Sequence, residues 1–136
     1  AGRVELVTGD VAMRMMFNGD ALLVKRFNDN IEYVVPSEGT ALWVDFLTVP
    51  VGAPNRKLAC AFIDFLNEPA NAASNAAFLN FATPNVAAEK ALPDSYRNNP
   101  RIYPASAVLN RSELFSALPP RALARRNSQF ARLLQN

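Results

Sequence analysis

Short apolar runs, each halted by a turn residue, alternate along this chain with stretches of helical period. Strands interleaved with helices build α/β layers, so this alternation sets the fold class as α/β. Val11–Phe17 (VAMRMMF) stops at Asn18-Gly19-Asp20 and predicts a buried strand ending in a turn. Ala21–Phe27 predicts a short helix leaving that turn, and Ile31–Val35 a second strand closed by Pro36. Ala41–Val49 (ALWVDFLTV) is rich in β-branched and aromatic residues and predicts a third strand, closed by Pro50. Asn55 then caps a predicted helix in which Leu58, Phe62, Phe65 and Leu66 form one apolar stripe. Glu68-Pro69 interrupts it, and Pro69 suits the first turn of a second helix, Ala70–Leu79. Thr83-Pro84 reads as the next helix cap with proline at the first helical position. Residues 93–104 (PDSYRNNPRIYP) read as a loop. A last helix follows Pro119-Pro120, with Leu123, Phe130, Leu133 and Leu134 on its apolar side.

Composition narrows the chemistry. The 136 residues contain no histidine and one cysteine, Cys60. Ser-His-Asp and Cys-His nucleophilic sites are therefore excluded, as are the usual imidazole zinc sites and any internal disulfide. Five glycines, none clustered, give no phosphate-binding loop. No metal-ligand spacing occurs, and neither a cofactor nor catalysis is expected. Cys60 lies between Leu58 and Phe62 and reads as a packed, inert thiol. No run is long enough to cross a bilayer, and the opening Ala1-Gly2-Arg3-Val4-Glu5 lacks the apolar centre of a secretory signal.

Charge is uneven. Residues 1–96 hold 7 Lys and Arg against 11 Asp and Glu, a balance of −4; residues 97–136 hold 7 Arg and one Glu, a balance of +6. An acidic front suits a cationic ligand. The basic end is either a solvated helix face or a nucleic-acid surface carrying Arg121, Arg125, Arg126 and Arg132. The arginines are spread out, which favours the first reading.

Asp45 stands out because it sits inside LWVDFLTV. A carboxylate buried without a partner costs several kcal/mol, of order 2–7 for a polar group and more for a charge. Side chains alternate on a strand, so Trp43 and Asp45 would share a face. A ring beside a carboxylate is the pairing that holds an organic cation. Equally, Asp45 at a strand end would pair with a nearby Arg or backbone N–H. Phe17 and Asp20 make a second such pair, with core packing and helix capping as the structural alternative. Phe81 either fills the core or faces the same ligand.

Taken together and in order, FNGD (Phe17–Asp20), PSEGTALWVDFLTVP (Pro36–Pro50), AFIDFLNEPANA (Ala61–Ala72), FATPN (Phe81–Asn85) and NPRIYP (Asn99–Pro104) resemble bacterial polyamine-binding proteins. These are the periplasmic spermidine/putrescine solute-binding components of ABC importers, and the likeness runs from about Gly9 to the end. The aromatic-x-Gly-Asp string and NPRIYP look closer to the putrescine-binding branch.

The resemblance implies an aromatic box around the methylene chain of the amine and carboxylates on its ammonium groups. It assigns ligand binding to Phe17, where Trp is usual, and to Asp20, Trp43, Asp45 and Phe81, where Tyr is frequent. It implies a type II periplasmic binding protein fold with two lobes, of which this chain is the C-terminal portion. Residues 1–41 and 87–136 would then belong to one lobe and 42–86 to the other. The implied partners are the polyamine, the membrane permease of an ABC importer, and either a missing N-terminal half or a second copy joined by segment exchange. A periplasmic sensor acting on a membrane receptor is the alternative function. Nucleic-acid binding is the remote one, and nucleic acid is not expected as a partner.

Overall fold

The computed structural model describes residues 2–134; Ala1, Gln135 and Asn136, at the two ends of the expected fragment, lie outside the described residues. The element order is α1 (Arg3–Thr8), α2 (Asn18–Lys25), β1 (Ala41–Leu42), α3 (Arg56–Asn67), α4 (Pro69–Leu79), α5 (Val86–Ala91), α6 (Asp94–Arg97), α7 (Ser106–Leu109), β2 (Glu113–Leu114) and α8 (Pro120–Leu133).

Helix boundaries follow local chemistry. The Asn55 side chain accepts from the Leu58 N–H, satisfying one of the orphan donors of α3. Pro69 opens α4 and Pro120 opens α8, where a missing N–H and a fixed φ cost nothing. Asn80 ends α4 in the left-handed region at φ 59°, a conformation asparagine tolerates. The cap expected at Thr83 is instead Asn85, whose side chain accepts from Ala88 N–H. The Thr83 hydroxyl accepts from the Asn85 N–H and builds the turn before the helix. The expected loop at 93–104 contains the single helical turn α6.

The core sits between α4 and α5. Ala73, Ala76, Ala88 and Leu92 form it, with Ala72 and Tyr96 packed against its edge. Small residues let the two helices approach closely, and Ala88 is wholly buried. Tyr96 closes the end: its hydroxyl lies 2.6 Å from the Ala76 carbonyl oxygen and 3.0 Å from that of Phe81. Loss of solvent, with Tyr103 adding to it, pushes the Tyr96 phenol up to about 12. Helix α2 packs nearby and buries Ala21 and Val24.

The strands expected at Val11–Phe17 and Ile31–Val35 are extended chain without ladder partners, and only Ala41–Leu42 of the third is a strand. A strand exists by virtue of a hydrogen-bonded neighbour. Among the described residues the one such neighbour is Glu113–Leu114, parallel to Ala41–Leu42. Glu113 N–H donates to Thr40 and Phe115 N–H to Leu42, at 3.0 and 3.2 Å. Gly39 permits this junction: its φ is 109°, and a Cβ there would meet the Arg111 carbonyl oxygen at 2.0 Å. Neither α3 nor α8 buries any residue. The α3 stripe expected to pack leaves Leu58, Phe62 and Phe65 more than half exposed, and Cys60, expected to be packed, is exposed.

Candidate functional site

Three aromatic rings distant in sequence meet at one place. Phe17 and Trp43 lie 4.4 Å apart between ring centroids, tilted by 43°. Trp43 and Phe81 stand edge to face at 6.0 Å. Each ring is delivered by a separate device. Phe17 is the N-cap residue of α2, Trp43 follows directly on β1, and Phe81 follows the left-handed Asn80 that ends α4. Tilted and edge-to-face pairs suit the ring quadrupole and leave ring faces for a further occupant.

Gly19 allows the close approach. A Cβ on it would lie 2.5 Å from the Leu79 carbonyl oxygen and 2.8 Å from the Phe81 ring. The start of α2 can therefore rest on the end of α4 only with glycine there. The Asn18 side-chain amide locks the same turn by donating to the Arg101 carbonyl at 2.9 Å. Thr83 N–H donates to the Tyr103 hydroxyl at 3.2 Å, which ties the segment after Phe81 to the same loop.

Phe17, Asp20 and Trp43 line a cavity of about 340 Å3, shared with Met15, Met16 and Tyr33 among others. Asp20 is the third residue of α2 and not its cap; its carboxylate accepts from Arg3 at 2.5 Å. Arg14 reaches the same cavity. Partial burial raises the Tyr33 phenol above its ordinary value. Asp45 is placed apart from this lining. It lies on extended, exposed chain two residues beyond Trp43 and has no ion pair or hydrogen bond among the described residues. Phe81 reaches the group through Trp43.

Sequence reasoning overlooked Gly19, Arg3 and Tyr96. For Gly19 the signal was present in the aromatic-x-Gly-Asp string itself. For Arg3 there was none, because nothing local marks a surface arginine as the partner of a carboxylate seventeen residues on.

Residues 3–104 match the family described as bacterial extracellular solute-binding protein. The chain belongs to that family. It is 33% identical over 105 residues to the spermidine/putrescine-binding periplasmic protein of Escherichia coli K12, covering 77% of this chain and 30% of that protein. It is 36% identical over 98 residues to the norspermidine sensor of Vibrio cholerae, covering 71% of this chain and 27% of that one. The crystal structure of the spermidine/putrescine ABC transporter substrate-binding protein PotD from Streptococcus pneumoniae superposes with a TM-score of 0.80 at 27% identity. It covers 98% of this chain and 41% of that one. The chain thus spans less than a third of the length of the Escherichia coli and Vibrio cholerae relatives. Its fold is that of a portion of a type II periplasmic binding protein.

Proposed function

We propose that the chain supplies one side of a periplasmic site that binds a polyamine, putrescine or spermidine, and that it performs no catalysis. The observation that carries this reading is the convergence of Phe17, Trp43 and Phe81 beside a cavity edged by Asp20. Ring faces attract an ammonium by about 0.5–2 kcal/mol each, and apolar rings also cover the methylene chain between the charges. Asp20 takes one ammonium by a charge-assisted hydrogen bond, and Asp45, outside the lining and exposed two residues beyond Trp43, meets the other where the ligand leaves the cavity. The named relatives that bind spermidine and putrescine support the ligand class.

Delivery to the permease of an ABC importer is the function that follows from transport relatives. The likeness to the norspermidine sensor favours a second reading, in which the liganded protein acts on a membrane receptor. Pull-down by a reconstituted permease, against pull-down by a receptor ectodomain, separates the two.

Closure on the ligand needs a second wall. That wall comes from an N-terminal portion or from a second copy of the chain. The large apolar side chains left exposed on α3 and along Val44–Leu47 support a covered surface. The expected division placed residues 1–41 and 87–136 in one lobe and 42–86 in the other. The contacts of α2 with Leu79, Phe81 and Arg101 favour grouping α2 with α4–α6. The parallel pair of Ala41–Leu42 with Glu113–Leu114 then serves as the joint between the lobes.

Trp43 is the chain's single tryptophan, so its fluorescence reports on the site directly. Putrescine and then spermidine are titrated into the chain while Trp43 emission and heat are followed. A saturable change is expected, weakened by Asp45→Asn and Phe17→Ala. A flat response to both amines, from the chain alone and again from the chain supplied with its second wall, would overturn the reading. Light scattering on the same sample distinguishes a dimer from a monomer.

A further inference from the structure

The carboxylate best placed for a ligand cation is already held by a cation of the chain itself. Asp20 pairs with Arg3 across seventeen residues, and the guanidinium lies in the wall of the aromatic cavity. Arg14 lies in the same wall, so the lining carries two guanidinium groups against one carboxylate. An entering diammonium ion meets a like-charged wall and competes with Arg3 for the Asp20 carboxylate. Arg3 is in the first turn of α1, its side chain is 52% exposed, and α1 buries no residue. The Asp20 side chain is the more enclosed of the two, at 29% exposed. The pair therefore joins a replaceable surface cation to a carboxylate fixed by α2.

Resting on the polyamine-binding reading, we propose that Arg3 is an affinity-setting residue of this site. It acts as an internal counter-ion that occupies Asp20 when ligand is absent, competes with ligand ammonium, and sets the affinity for diamines. An exposed pair of this kind is weak enough to be displaced by a ligand that brings its own cation, yet strong enough to reduce apparent affinity severalfold. Because one half of the pair is solvent-exposed, salt screens it.

The test compares the chain with its Arg3→Met variant, which keeps an unbranched apolar stem and removes the charge. Putrescine is titrated into each at low and at high salt, with Trp43 emission as the readout. Thermal unfolding of both checks that the variant keeps the fold. The expected result is binding about fivefold tighter in Arg3→Met at low salt, the factor that corresponds to the upper range for an exposed ion pair. The gain should shrink at high salt and vanish when Asp20→Asn is combined with Arg3→Met. Equal affinity in both chains would overturn the proposal while leaving the polyamine reading in place. Weaker binding in Arg3→Met would overturn it too, because Arg3 would then be orienting Asp20 for the ligand. If both chains stay flat even with the second wall supplied, the polyamine reading fails and the proposal falls with it. A variant that binds where the parent does not would support the proposal.

Discussion

Helices α4 and α5 are short and poor in large apolar residues, yet they hold the core; α3 and α8 are longer, strongly amphipathic, and bury nothing. The first pair carries its own partner within about twenty residues. Alanines at 73, 76 and 88 let the backbones meet, Leu92 fills the gap, and Tyr96 seals the end. The second pair presents Leu58, Phe62 and Phe65 in one case and Leu123, Phe130 and Leu133 in the other to solvent. An apolar stripe specifies a face and leaves its partner unspecified. Stability in this chain therefore follows local closure and not hydrophobic content.

The largest expected contrast comes from the same kind of truncation made in both regions. Leu92→Ala removes a buried side chain and should cost about 2–3 kcal/mol in urea unfolding followed by circular dichroism. Phe62→Ala deletes more atoms but should stay within about 0.5 kcal/mol, because Phe62 is 58% exposed. Comparable losses at the two positions would break the contrast.

Gly19→Ala tests the contact between α2 and the end of α4. The new Cβ must push away a backbone carbonyl, which cannot yield as a flexible side chain can. A cost of about 1–3 kcal/mol is expected, as for overpacking, together with a shift in Trp43 emission as Phe81 moves. Unchanged emission would mean that the ring cluster does not depend on this turn. Asn85→Ala should cost about 1 kcal/mol, since it uncaps a helix that belongs to the core. Asn55→Ala removes an equivalent bond from α3 and should lower local helicity with less effect on the cooperative transition.

The smallest expected effect is electrostatic. Lys25, and after it Arg101, hold the Glu32 carboxyl below its ordinary range by hydrogen bonding. A lowered folded-state value means that the stabilisation is complete above the unfolded-state value and fades as pH falls through the folded one. Urea midpoints measured from pH 6 down to pH 3 should therefore decline less steeply in Glu32→Gln than in the parent. Parallel declines would remove Glu32 from the account.

The sequence made the helices legible wherever their ends are local. Asn55, Pro69 and Pro120 start helices by chemistry confined to one turn, so position and type could both be read. The strands could not be read in the same way. Val11–Phe17 has the composition of a strand, but its partner is not among the described residues, and Met13 and Met15 lie in the open. The site was half legible. Phe17, Asp20, Trp43 and Phe81 are gathered as the motif order suggested, although neither ring spacing nor the Arg3 partner of Asp20 is written in any local pattern. Asp45 shares its short segment with Trp43 but not its cavity. Alternation of side chains on an ideal strand gave no guide once the strand ended at Leu42.

The parallel pair of β1 and β2 has a mechanical consequence. It closes a ring, because Thr40 and Ser112 are 72 residues apart along the chain and the Thr40 N–H donates to the Ser112 hydroxyl beside the backbone bonds of the strand pair. Pulled from its two ends, the chain would load the Asn18–Arg101 tie and the seat of α2 on the end of α4 first, and this clasp only once those had parted. The clasp should part at low tension in one step and release a long length of slack, with the seam yielding later as a second, stiffer event.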